Sequence, residues 1–379
     1  MARASLLCLV LLCVVSHAAA FSVGLAPRGF LGRAVRAERR APRASTPASP
    51  WKMQVWSNNE AIQEYRDLLA GKRQDDTNDG PSVIIGDGRL GTMLRNAGGN
   101  SGDVIVKRGD AIPEELADGV TDFPLYVCVP EHEVEAVIKA CPQSKLDDLV
   151  FCQKGNIELL LKKYALCGND NTQMLPYFSI FSKESRPMSE LEDMGKDSFG
   201  SPKYAGETVI VGKWKGALAQ RLDRIQLPSQ PRGYLDYRRS MIEHTVFESV
   251  YNLVGLLHKG IPLGEVGLYH QKECEDMIHE MHRALRGSMA VTLLSGVEGR
   301  CKALSQNTNV EMRKPKLGEF MWYNGFFYKI SLDCKEFEVY GKKVDMPDPM
   351  SMHSEYLEYA RDNNLIDKSV VFEPYRVSY

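Results

Sequence analysis

The chain has 379 residues, 44% of them hydrophobic and 25% charged, values of a globular protein and not of a disordered or membrane-spanning one. Its formal net charge is −2, and removing residues 1–50 takes out seven arginines and one glutamate, leaving 40 basic against 48 acidic residues. The resulting net charge of about −8 speaks against nucleic-acid binding.

The N-terminus carries LLCLVLLCVV at 6–15 behind Arg3, followed by Ala18-Ala19-Ala20. The apolar run is too short for a membrane span and reads as a signal peptide over residues 1–20. Residues 21–52 follow with six arginines and one acid, Glu38, which is transit-peptide composition. The pairing resembles the bipartite leaders of secondary plastids, so a plastid stromal location is expected; a secreted protein with a basic pro-segment is the alternative. Seven cysteines remain after the signal, an odd number, widely spaced and without C-x-x-C, as expected for free thiols.

Residues 53–80 hold a short amphipathic helix and a polar linker. Repeated strand and helix signals begin at Pro81: SVIIG, RLGTMLRN, DVIVKRG, LYVCVP, EHEVEAVIKAC, DDLVFCQ and GNIELLLKKYAL. This alternation predicts an α/β domain over 81–235, a parallel sheet with right-handed crossovers. MLPYFSIFS and GETVIVGKW are expected at an antiparallel edge, with GALAQRLDRI as the helix after them. From about Arg238 long helix-period segments take over, predicting a helical substrate or dimerisation domain over 236–330. FFYKISL reads as a late strand and Asn324-Gly325 as a hairpin turn, and residues 331–379 as a tail whose VDMPDPMSMH prolines exclude a regular element.

The stretch Gly86-Asp87-Gly88-Arg89-Leu90-Gly91 is G-x-G-x-x-G between a strand and a helix. Here the first glycine permits a tight turn, the second close approach of a pyrophosphate, and the third close packing of helix on strand. A glycine-rich structural turn without ligand would have the same sequence. At the next strand end, Lys107 and Arg108 favour a 2′-phosphate and so NADP(H) over NAD, unless they are a solvated pair.

With these pieces in this order, the chain resembles the ketopantoate-reductase-like branch of the 6-phosphogluconate-dehydrogenase superfamily. The resemblance rests on the glycine loop, DLVFCQKGNIE at 148–158, TVIVGKW at 208–214 and SMIEHTVFESVYNLVG at 240–255. GEFMWYNGFFY at 318–328 and PDPMSMH at 347–353 are similar to a plastid and cyanobacterial subgroup. It implies a Rossmann domain followed by a helical domain and NAD(P)H-dependent reduction of a small 2-keto acid. Gln153 would border the nicotinamide. The family's lysine and two asparagines on the first helix of the second domain align with His244, Glu248 and Asn252, so only Asn252 matches. His244 would replace the catalytic lysine only if Glu248, one turn away, raised its pKa. The Q-N-G turn reads Gln153-Lys154-Gly155, and Lys154 would either supply the lost cation from across the cleft or face solvent. The changed residues leave a second reading, a catalytically silent dinucleotide sensor or a scaffold subunit of a plastid complex. A homodimer fits either. His279 and His282 stand three apart on a charged helix without an evident third ligand, so no metal centre is expected.

Overall fold

The computed structural model describes residues 79–166, 171–196, 202–339, 342–344 and 346–366. The predicted signal peptide, transit peptide and 53–72 helix lie outside them, as does Cys167.

β1 (Val83–Ile85) is three β-branched residues, all buried, and it is the pivot of the sheet. It is flanked by β2 (Val104–Val106) and β3 (Leu125–Val127), both parallel to it, with Val83 opposite Val104 on one side and Leu125 on the other. β4 (Leu149–Phe151) and β5 (Thr172–Leu175) extend the parallel run beyond β3. β10 (Thr208–Val211) is antiparallel to β5, and β11 (Ser229–Pro231) closes the sheet, giving the order β11-β10-β5-β4-β3-β1-β2.

The period-2 alternation of each strand divides the apolar residues between two faces. Val83 and Ile85 point to the face covered by α2 (Val134–Ala140) and α3 (Glu158–Lys163), together with Val134, Ile138 and Leu161. Ile84 points the other way, into Leu94 of α1 (Arg89–Gly98) and Leu218 of α4 (Lys215–Asp223). Helices on both faces of a mainly parallel sheet make this a Rossmann-type, doubly wound α/β unit. Between β5 and β10 the chain forms two small antiparallel ribbons. These are β6 (Phe178–Ser179) with β7 (Met188–Ser189), and β8 (Glu192–Lys196) with β9 (Pro202–Ala205).

The remainder is mainly helical. α5 (Tyr234–Leu257) is buried on nearly every side, and α6 (Leu263–Tyr269), α7 (Gln271–Met289) and α8 (Val297–Ser305) pack around it. This helical core also takes in Leu175, Tyr177, Val209 and Val211, so α5 is seated directly on the antiparallel edge of the sheet. A 3-10 turn at Phe320–Trp322 leads into α9 (Asn324–Lys335), and α10 (Ser351–Asp362) follows the short ribbon of β12 (Glu338–Val339) and β13 (Lys342–Lys343).

Three expectations are corrected. FFYKISL is helix, not strand, because Phe326, Phe327 and Ile330 form a 3.6-period apolar stripe into the helical core. Asn324-Gly325 opens that helix and makes no hairpin: a Cβ on Gly325 would lie 2.8 Å from the Phe320 carbonyl oxygen, so the glycine serves close packing. The tail is not structureless. The prolines at 347 and 349 stop short of α10, whose Leu357 and Ala360 are fully buried in the helical core.

Candidate active site

Carboxyl ends of the strands converge where β2 and β3 leave β1 in opposite directions, the switch point at which doubly wound sheets bind ligands. The glycine loop sits there. Gly86 has φ +103°, and a Cβ on it would meet the Cys128 carbonyl oxygen at 2.8 Å. Gly91 presses α1 onto the loop so closely that a Cβ would lie 2.0 Å from the Gly86 carbonyl oxygen. Gly88 differs: it is the N-cap of α1, its φ of −68° suits any residue, and nothing lies within 4 Å of its missing Cβ. Two of the three glycines are therefore required by the protein itself, and the middle one keeps open the space over the helix N-terminus. That helix end presents N–H groups without intrahelical partners and has no acidic residue in its first turn. Asp87 is exposed, Leu90 packs on the α1 side of the sheet, and Arg89 Nη1 donates to the Ile180 carbonyl oxygen at 2.8 Å.

At the end of β2, Arg108 is exposed and ion-paired with Glu133 at the start of α2, while the backbone N–H of Lys107 donates to Asp110 Oδ2 at 2.9 Å. Lys107 has no ion-pair partner among the described residues.

Gln153, at the end of β4, donates from Nε2 to the carbonyl oxygens of Val127 and Val129, at 2.9 and 3.1 Å. Its Oε1 is buried without a partner, an acceptor left open beside the switch point. Gly155 lets Trp322 of the helical half settle on the turn, with a would-be Cβ 2.6 Å from its ring. Lys154 between them is half-buried and pairs with both oxygens of the buried Glu190, at 3.0 and 3.1 Å; Ser179 Oγ adds a 2.7 Å bond to the same carboxylate.

α5 supplies the opposite wall. His244 is 1% exposed, neither ring nitrogen has a hydrogen-bond partner, and the Tyr177 ring meets it edge-on at 5.0 Å. Burial lowers its pKa to about 4. Glu248, whose Oε1 is 3.7 Å from Nε2, opposes this, and the charges of Lys154 and Arg313 add to it. Glu248 thus fails to raise His244, and the imidazole is neutral at pH 7. Burial also works against the Glu248 carboxylate, yet Arg313, His244 and Lys154 outweigh it and hold the pKa at about 2. Arg313 Nη2 bonds that carboxylate at 2.7 Å. Asn252 donates to Glu248 Oε2 at 2.9 Å and accepts from the Lys316 N–H at 2.9 Å, fixing the Arg313 loop to the helix.

The structure therefore brings Lys154, His244 and Asn252 into one neighbourhood at the sheet–helix junction. It adds Tyr323, and Glu190, Arg313 and Tyr177, the last three of which the sequence reading missed. Arg313 and Glu190 sit in segments without motif or periodicity, and only the fold reveals them. His279 pairs with Glu298 at 2.8 Å and is half-exposed, while His282 Nε2 is buried without a partner; the two do not share a ligand. The six described cysteines are free.

In fold the chain is similar to ketopantoate reductases. A 2-dehydropantoate 2-reductase from Methylococcus capsulatus superposes with a TM-score of 0.48 at 12% identity, over 76% of this chain and 99% of that one. A ketopantoate reductase from Ralstonia eutropha gives 0.47 at 14% identity, over 75% and 99%. D-mandelate dehydrogenase in complex with NADH and anilino(oxo)acetate gives 0.46 at 12% identity, over 75% and 99%. No protein-family model matches the sequence, and no curated protein does.

Proposed function

We propose that the chain binds a nicotinamide dinucleotide on its glycine loop and acts as a reductase of small 2-keto acids. The observation that carries the binding is the division of labour among the glycines: Gly86 and Gly91 are closed by the protein, and Gly88 is open at a helix N-terminus. The unpartnered Gln153 Oε1 adds an acceptor suited to an amide. Lys107 and Arg108 stand where a 2′-phosphate would lie, which favours NADP(H), although Arg108 would have to share its charge with Glu133.

When bound, the dinucleotide supplies the hydride. The remaining chemistry falls to the chain. Lys154 is the proton donor best placed to meet a keto oxygen, and the Glu190 carboxylate orients its ammonium. Arg313 spends one nitrogen on Glu248, leaving the rest of its fork for a substrate carboxylate. The neutral His244 with Tyr177 and Tyr323 gives an apolar wall that excludes water.

The second reading, a silent dinucleotide sensor or scaffold, is favoured by one observation: each cation near His244 already has a carboxylate partner. Calorimetry with NADPH and NADH, followed by NADPH oxidation against a panel of 2-keto acids, separates the two. Binding with turnover, lost at least 100-fold in kcat in Lys154→Met, supports the reductase. Binding without turnover leaves the sensor, and no binding of either dinucleotide removes both cofactor readings and leaves the scaffold. The plastid location rests on the composition of residues 1–52 and is tested by fusing them to a fluorescent protein.

A further inference from the structure

Three side chains meet at the far end of α5, away from the glycine loop. His258 caps the C-terminus of α5, its N–H bonded to the Val254 carbonyl oxygen at 3.1 Å. Lys259 and Gly260, at φ +66° and +73°, then reverse the chain into α6. His270 ends α6 and begins α7, and Glu273 lies in the first turn of α7. The two imidazoles stack with centroids 3.6 Å apart and planes 25° from parallel. Both point a nitrogen at one oxygen: His258 Nε2 is 2.8 Å and His270 Nδ1 is 3.4 Å from Glu273 Oε2. One ligand atom from each of the three residues lies within 4.8 Å of the others, the only such grouping among the described residues.

We propose that His258, His270 and Glu273 form a zinc site that pins the ends of α5, α6 and α7 together. The ligand set is the borderline-soft one that zinc takes: two imidazoles and a carboxylate. Bonds of about 2.0–2.2 Å in a tetrahedron place neighbouring ligand atoms about 3.4 Å apart. The His270–Glu273 distance already has that value; the His258 contact has to open by about half an ångström, and the two stacked rings have to turn apart so that both in-plane nitrogen lone pairs meet the ion. The ligands are seated on helix ends, so the entropy of assembling them is met by the fold. The three side chains are half-buried, which leaves a fourth position for water.

The test uses the full, tag-free chain. After equilibration with zinc and dialysis, it retains about one zinc per chain by elemental analysis and melts at a higher temperature than the zinc-free protein; magnesium does neither. Zinc binding falls at least tenfold in Glu273→Gln and is lost in a His258→Ala/His270→Ala variant, but is unchanged in His279→Ala. Should the double variant fail to fold, histidine-ring nitrogen NMR of the wild type decides. Zinc then shifts the His258 and His270 rings and spares His279. No zinc retained, retention unchanged in the double variant, or a shift confined to His279 would overturn the site.

Discussion

Gly88 and Gly91 lie three residues apart and differ in what a methyl group would meet. At Gly91 it would collide with the Gly86 carbonyl oxygen at 2.0 Å, whereas at Gly88 it would enter open space. Gly91→Ala is therefore expected to destabilise the fold by about 3 kcal/mol or more in urea unfolding. Gly88→Ala should leave stability within about 0.5 kcal/mol and weaken dinucleotide binding at least tenfold, because only the ligand needs that space. Equal effects of the two changes would mean that the loop is structural only. His244 makes a different kind of residue-scale statement. Its folded pKa of about 4 lies below the ordinary 6.5, so the unfolded chain takes up the proton first as pH falls. The stability is fully present above pH 6.5 and is lost between 6.5 and 4, at about 1.4 kcal/mol per pH unit for this group. His353, depressed by burial to about 3, acts in the same direction. His244→Leu should remove about half of the combined slope between pH 6.5 and 4, measured by urea unfolding at pH 7 and 5. An unchanged slope would show that the imidazole is not held neutral. The sequence exposed the choice at this position, His in place of Lys, but the environment that decides its charge comes from Tyr177 and Arg313, far away in the chain.

At the scale of elements, α4 shows how far a periodic pattern can be read. GALAQRLDRI identifies the helix, and its buried face is Ala217, Leu218, Arg221 and Leu222. Arg221 occupies an inward position with no exposure at all. Its Nε bonds Asp79 at 2.8 Å, Nη1 bonds Asp103 at 2.9 Å and Ser82 Oγ at 3.1 Å, and the guanidinium lies 4.9 Å from the Tyr126 ring centre. The helix thus clamps the entry ends of β1 and β2, opposite the end where the glycine loop opens. Removing the arginine leaves the buried carboxylates of Asp79 and Asp103 with only Arg224 and Ser82, respectively, as partners. Arg221→Met should cost about 3–5 kcal/mol, while dinucleotide affinity, once corrected for the unfolded fraction, stays the same. A loss below 1 kcal/mol would show that water reaches the clamp. Strand–helix alternation made the doubly wound unit legible because β1, β3, β4 and β10 are short, apolar and each followed by its own helix. FFYKISL was misread because a short apolar run carries both periods, and only its contact with the helical core selects one.

For the whole molecule, the division into a sheet half and a helical half follows the sequence. The seam between the halves and the reach of the C-terminal segment do not. Leu175, Tyr177, Val209 and Val211 of the sheet belong to the same apolar cluster as α5, and Trp322 returns from the helical half to pack under the Gln153–Gly155 turn. α10 closes this assembly from outside the predicted domain. It and its flanks contribute Met350, Leu357, Ala360 and Ile366 to the helical core, and His353 Nε2 bonds Asn324 Oδ1 at 2.9 Å at the start of α9. Burying three large apolar side chains at about 1.5–3 kcal/mol each is worth about 5–9 kcal/mol, comparable with the whole stability of an ordinary domain. A chain ended after Val344 should therefore lose the cooperative unfolding transition seen by tyrosine and tryptophan fluorescence. A free tail would leave the midpoint unchanged, so the same measurement discriminates. Loss of α10 also frees α9, and with it the Trp322 turn that holds Lys154 toward His244. The shortened chain is accordingly expected to lose turnover.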